Sequence, residues 1–289
     1  MSKTKNLLEI HIGVLLFGLA GLFGKLVDLP STVIVFGRVL FASISLLLML
    51  AVLKQSPKLK QKRDYLYLSL LGALLAIHWI TFFESIQLST VAIGLLTFST
   101  FPIYTTFLEP IFFKEKLHGR DIMLAFVTLI GVALVIPKFE LGNNITQGAI
   151  WGIVSGATFA ILSILNRKFV KDYSNYVIAF YQDLSATLVL VPFLFFLKFT
   201  VQTNDILLLV LLGVVFTGLS HSLFISGLKT IKAKTASIIG TLEPVYGIIA
   251  AALILHEIPT LKVLIGGLII LGATVYETVS SKNAPQIPE

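Results

Sequence analysis

Residues 100–116 read TFPIYTTFLEPIFFKEK, and residues 242–257 read LEPVYGIIAAALILHE. In each stretch a proline (Pro102, Pro244) precedes a glutamate (Glu115, Glu257) by thirteen residues, and the copies stand 142 residues apart. Each closes a long apolar block, and five such blocks separate equivalent positions. If every block crosses a bilayer, an odd number of crossings turns the second copy upside down. The repeat therefore predicts two halves related by inversion.

The rest of the chain supports a membrane reading. Of its 289 residues, 56% are hydrophobic and only 13% charged, against about 25% charged in a soluble domain. The apolar residues come in blocks close to the about 20 needed to cross hydrocarbon. These blocks are continuous, whereas barrel strands alternate, and a helix satisfies its own backbone in lipid. Ten spans are expected, at residues 10–27, 33–53, 66–86, 91–112, 121–137, 148–166, 175–197, 206–228, 235–255 and 261–279. The predicted fold is an all-α integral membrane protein of ten transmembrane helices. Its two inverted five-helix repeats cover residues 1–141 and 142–281, followed by a tail, 282–289. Lys3 and Lys5 before an apolar run imitate a signal peptide, but no small-residue cleavage site follows, so this run is read as the first span.

Of the 22 lysines and arginines, seventeen fall in the two tails and in the loops after the second, fourth, sixth and eighth spans. Lys25, Lys138, Lys198 and Lys262 lie on the opposite side, and Arg38 sits inside the second span. The positive-inside rule then places both termini in the cytoplasm, in a plasma (inner) membrane. The net charge of +7 belongs to this lipid surface rather than to a nucleic-acid partner. There are no cysteines, which excludes disulfides, thiolate catalysis and cysteine metal sites. No glycine-rich phosphate loop with its lysine is present, so ATP drive within the chain is not expected, nor is any cofactor or metal.

Further echoes keep the same register. His78 and His221 are 143 apart, Phe36-Gly-Arg38 matches Phe180-Tyr-Gln182 at 144, and Ile130-Gly131 matches Leu271-Gly272 at 141. Glu109-Pro110 also resembles Glu243-Pro244, but its spacing of 134 misplaces Glu115 and is read as coincidence. With ten spans, the two proline motifs and the small residues Gly131 and Gly272, the sequence resembles the EamA-type carriers of the drug/metabolite transporter superfamily over nearly its whole length. That resemblance implies secondary transport of small organic metabolites, often export of amino acids or related compounds. Protons or a counter-substrate would then be coupling partners.

Several residues are candidates for the transport pathway. Intramembrane ionisable groups are costly and are functional hypotheses by default. His78, beside Trp79, and His221, between Ser220 and Ser222, either meet substrate or bond a neighbouring helix. Glu243 is a candidate for proton coupling or for holding a substrate amine, and Asp183 is a second such acid. Arg38 is read as snorkelling toward the outer interface, with pairing to a substrate carboxylate as the alternative. Tyr104 and Tyr246, each two residues after a matched proline, are candidate aromatic walls. Pro102 and Pro244 are expected to kink their spans. Gly148, Gly152 and Gly156, four apart, give one helix face that a neighbour can approach closely. Glu115 and Glu257 are expected to cap helices or anchor loops, and Glu109 to pair with a nearby lysine. Two rival readings are an intramembrane lipid-modifying enzyme using His78, His221, Asp183 and Glu243, and a receptor or assembly factor without transport.

Overall fold

The computed structural model describes residues 3–113, 117, 119–136, 140 and 142–282. Among these residues the regular structure is helical throughout. The helices are α1 (Lys3–Ala20), α2 (Phe23–Leu26), α3 (Ser31–Val52), α4 (Lys62–Leu88), α5 (Val91–Phe98), α6 (Phe101–Phe113), α7 (Gly119–Val135), α8 (Asn144–Phe169), α9 (Asn175–Leu194), α10 (Thr203–Gly213), α11 (Ser220–Gly227), α12 (Ala233–Gly240), α13 (Glu243–Ile254) and α14 (Leu261–Lys282). A π-helical stretch, Val214–Leu219, joins α10 to α11.

Joined where they run on, these helices make eight segments long and apolar enough to cross a membrane. The chain is thus a multi-pass integral membrane protein. The expected spans at 121–137 and 261–279 coincide with shorter apolar helices, Ile122–Val135 and Leu261–Ala273. Large apolar side chains such as Phe126, Phe195 and Leu268 point outward, as suits a lipid-facing exterior.

Helix starts follow from local chemistry. The Thr90, Asn143 and Ser174 side chains accept hydrogen bonds from the N–H groups of Ile93, Ile145 and Val177, supplying acceptors that a first turn lacks. At the start of α10, Gln202 and Asp205 form a reciprocal capping box.

Each matched proline follows a two-residue turn that interrupts its span, residues 99–100 between α5 and α6 and residues 241–242 between α12 and α13. Pro102 and Pro244 each occupy the first turn of the second half-helix. There the missing N–H costs nothing, because that turn has no partner to lose. Side-chain hydroxyls take up carbonyls before each break: Ser99 bonds Leu95 O, Thr100 bonds Thr97 O, and Thr241 bonds Ile238 O. Pro110 is the proline that lies inside α6, so Glu109-Pro110 and Glu243-Pro244 occupy different structural positions.

The broken segments pack crosswise, α5 against α13 and α6 against α12. Around them α1 packs on α11, α4 on α8, α3 on α9, and α7 on α14. The glycine face of α8 meets α4 and the first break. A Cβ at position 148 would lie 2.8 Å from Ser85 O, and one at 156 would lie 2.8 Å from Phe98 O. At position 152 it would collide with Thr97 Oγ1. Phe98 O is the carbonyl that Pro102 cannot engage, so Gly156 makes room where the backbone bond is missing.

Hydrogen bonds sort the loops between the two ends of the bundle. At one end Asn6 bonds Thr230, Lys60 N bonds Tyr173 Oη, and Glu109 reaches both Arg167 and the start of α12. At the other, Lys25 Nζ bonds Gln87 O and Ser89 O, Ser31 bonds Glu84, and Glu257 reaches Val91 N. The first end carries the basic loops.

Candidate functional site

The centre of the bundle holds charge. Arg38, expected to snorkel outward, is 0% exposed. Its guanidinium carbon lies 3.4 Å from the centroid of the Trp79 ring and 5.2 Å from that of Phe83. Nε donates to Thr217 Oγ1 at 2.9 Å and Nη2 to Phe216 O at 3.3 Å. Both partners belong to the π-helical stretch, where widened backbone geometry commonly marks a functional position. Snorkelling fails because Arg38 lies on the inward face of α3, between Trp79 of α4 and the π stretch. Stacking on an aromatic face and bonding through a planar fork are uses to which arginine is suited.

The other acids and histidines gather within the field of this cation. Asp183 lies on α9, which packs on α3, and His221 follows the π-helical stretch that holds Arg38. Asp183 is fully buried, and neither carboxylate oxygen bonds a group of the described residues. Arg38 Nη1 and His221 Nδ1 are likewise buried without a protein hydrogen bond. Leaving such groups unpaired is expensive in a low-dielectric interior.

His78 is tied down more firmly. Its Nδ1 lies 3.1 Å from Ser155 O and 2.9 Å from Ser155 Oγ, and its ring packs against Trp79 and Phe159, at 4.5 and 5.0 Å between centroids. It thus bonds a neighbouring helix, α8. Glu243 is 2% exposed and begins α13, where the helix dipole favours an anion. Its carbonyl lies against Gly18, where a Cβ would approach to 2.6 Å. Tyr104 and Tyr246 are half-buried in the first turns of α6 and α13.

The structure therefore brings Arg38, Trp79, His78, Asp183, His221 and Glu243 into one polar core. One member escaped the sequence reading: Thr217, which holds Arg38, is a lone threonine in an apolar block and carries no signal of its own. Gln182, the sequence echo of Arg38, is fully buried and donates to Asn166 Oδ1 at 2.6 Å.

Glu109 is also repositioned. It pairs at 2.6 Å with Arg167, not with a lysine, and accepts from the N–H groups of Ala233 and Lys234. It thereby caps α12. Glu257 caps α5 in the same way through Val91 N, at 3.0 Å, as expected of it. Glu115, its sequence counterpart, lies outside the described residues.

The chain was compared with known proteins. The profile of the EamA-like transporter family matches twice, over residues 5–136 and 146–276. The chain is 27% identical to the uncharacterized transporter YxxF of Bacillus subtilis, over 86% of this chain and 81% of that protein. It is 26% identical to an S-adenosylmethionine uptake transporter of Rickettsia bellii, over 89% of this chain and 86% of that protein. A solved crystal structure superposes with a TM-score of 0.74 at 16% identity, covering 99% of this chain and all of that one; this likeness concerns the fold alone.

Proposed function

We propose, from the premise that the chain belongs to the EamA-like transporter family, that it is a secondary carrier of small organic metabolites working by alternating access. It is a transporter and not an enzyme, which sets aside the lipid-modifying alternative. Within transport, export of amino acids or related compounds across the plasma (inner) membrane is our preferred reading. The observation that carries it is a buried cation and a buried acid with unsatisfied atoms in one core: Arg38 Nη1 and both Asp183 oxygens lack hydrogen-bond partners among the described residues. A solute bearing a carboxylate and an ammonium satisfies both at once. Glu243 serves as the coupling acid or as a second seat for the amine.

The architecture assigned to this carrier is ten spans in two inverted halves, 1–141 and 142–281, with both termini cytoplasmic. The contact pattern supports it. Exchanging each span of the first half with its counterpart in the second turns the α1–α11 packing into that of α8 with α4. The same exchange leaves α3 with α9 and α7 with α14. First half-helices pack on second half-helices across the two broken spans, as antiparallel neighbours do. Broken helices meeting near the midplane are a recurrent carrier device.

A second reading is favoured by the count of acids. Two buried acids, Asp183 and Glu243, accompany one buried guanidinium in the core, which suits a solute with an extra positive centre. S-adenosylmethionine, named for the Rickettsia relatives, has that charge pattern, and for it the direction is uptake.

Flux into and out of proteoliposomes tests both. Labelled amino acids moving outward support the first reading, and S-adenosylmethionine moving inward the second. Arg38→Met and Asp183→Asn are each expected to lower flux by at least about tenfold, the value of one charged hydrogen bond. Full flux in both variants overturns the site. Glu243→Gln with undiminished proton-linked flux removes its coupling role.

A further inference from the structure

A second polar site lies at the basic end of the bundle, away from Arg38. It is an open cavity of about 240 Å³ between the start of α4 and the end of α8. Tyr173, in the turn after α8, organises it. Its hydroxyl accepts from Lys60 N at 3.0 Å and donates to Asp64, and its ring lies 5.7 Å from Lys60 Nζ. Burial, then the hydrogen bond to Asp64, pushes the Tyr173 hydroxyl up in pKa, so it stays a donor at neutral pH. The loop before α4 is thereby pinned to the turn after α8.

The acids of the cavity already have partners. Asp64 is buried and bonded to Tyr173, and Asp172 pairs with Lys60 at 3.8 Å. Two cations lining the cavity, Arg63 and Lys168, make no hydrogen bond or ion pair with described residues. Gln61, which precedes α4 and also lines the space, provides no side-chain cap. The first turn of α4 already holds an acid, Asp64, so the charge left for an anion is that of Arg63 and Lys168. One wall is aromatic, formed by Tyr67 and Phe169 with ring centroids 6.4 Å apart.

Directly below, Leu66 and Leu70 are 60% and 58% exposed on α4. They sit one turn apart on the face that lipid tails would cover. A charged cleft directly above an apolar, outward-facing strip matches the two ends of a phospholipid. Basic pockets between helices on the cytoplasmic side commonly take anionic headgroups.

We propose that this cavity binds a phosphate-bearing anion between Arg63 and Lys168, and that the anion is the headgroup of an acidic phospholipid at the cytoplasmic surface. The inference rests on the chain crossing the membrane and on the proposed cytoplasmic placement of its basic end, not on which solute it carries.

Thermal unfolding of the purified full-length protein in detergent tests it. The additives are phosphatidylglycerol, phosphatidylcholine, and soluble glycerol 3-phosphate. A lipid that binds the folded state raises the melting temperature by mass action. Phosphatidylglycerol is expected to raise it saturably and phosphatidylcholine not to. The shift should shrink as salt screens the exposed cations. Arg63→Gln/Lys168→Gln should raise the half-saturating lipid concentration by about tenfold. Both side chains are exposed, so the variant should fold, and Lys168→Gln alone gives an intermediate case. Lys229→Gln, which removes a charge from the same end outside the cavity, should keep the full response. Equal stabilisation by the two lipids, or an unchanged response in the double variant, overturns the proposal. An equal shift from glycerol 3-phosphate overturns the lipid assignment and marks the cavity as a site for soluble phosphates.

Discussion

The two broken spans are closed by the same device at opposite ends of the molecule, with unequal strength. At the basic end Glu109 is 2% exposed, bonds Arg167 at 2.6 Å and caps α12 through two N–H groups. Arg167 in turn lies 4.2 Å from the centroid of the Phe113 ring. At the far end Glu257 makes one bond, to Val91 N, from a loop whose neighbours Ile258 and Leu261 are 84% and 72% exposed. In both cases an acid following the break of one span holds the first half-helix of the other. The acid at the basic end therefore holds its half-helix by more bonds than the acid at the far end.

Removing the stronger closure should have the largest effect. Glu109→Ala leaves Arg167 and two N–H groups without their acceptor, and should cost about 3–5 kcal/mol, the usual penalty for halving a buried ion pair. Denaturation of the purified protein measures this. The chain lacks cysteine, so Ser237→Cys on α12 is a clean reporter. It should become reactive to a thiol reagent when Glu109 is removed. If Glu109→Ala is no more harmful than Glu257→Ala, the asymmetry does not exist.

Gly152→Leu attacks the seam behind the first break. It forces a side chain into Thr97 and Ser85 and should cost about 1–3 kcal/mol by overpacking. A melt in detergent reads the loss, and flux should fall in parallel if the seam moves.

Glu257→Gln sharpens the comparison from the weak side. The amide keeps an acceptor for Val91 N, so the loss should be about 1 kcal/mol, the difference between a charged and a neutral hydrogen bond. A change as large as that of Glu109→Ala would show the two closures to be equivalent.

His256→Gly should act in the opposite direction. His256 has a φ of 56° and lets Glu257 N turn back to Ala251 O, a helix ending that glycine favours. The gain should be about 1 kcal/mol, the cost of a left-handed side-chain residue. A lower melting temperature would show the imidazole to be needed for the closure.

Much of this organisation was legible in the chain. The apolar blocks and sorted lysines located most of the spans, and the loops rich in lysine and arginine do gather at one end. The matched prolines marked where the helices yield, because a residue without an N–H leaves the same signature wherever it occurs. They could not show how the interrupted turn is satisfied, which depends on nearby hydroxyls and a facing glycine that absorb the freed carbonyls. Arg38 was misread for a related reason. A one-dimensional pattern shows depth along a helix but not which way a single side chain faces. Glu109 was offered a lysine because lysines are near in sequence, whereas Arg167 is near only in space.

By itself the sequence determined that this protein crosses a membrane repeatedly, that its two halves are related, and that certain ionisable groups lie at hydrocarbon depth. Composition and spacing suffice for this, because the bilayer imposes length and polarity on each segment separately. The tertiary structure alone decided that Arg38 stacks on Trp79 beside an unpaired Asp183, and that each broken span is capped by an acid of the other. Those facts depend on the rotation and crossing of helices far apart in the chain, which packing sets only when all of them are assembled together.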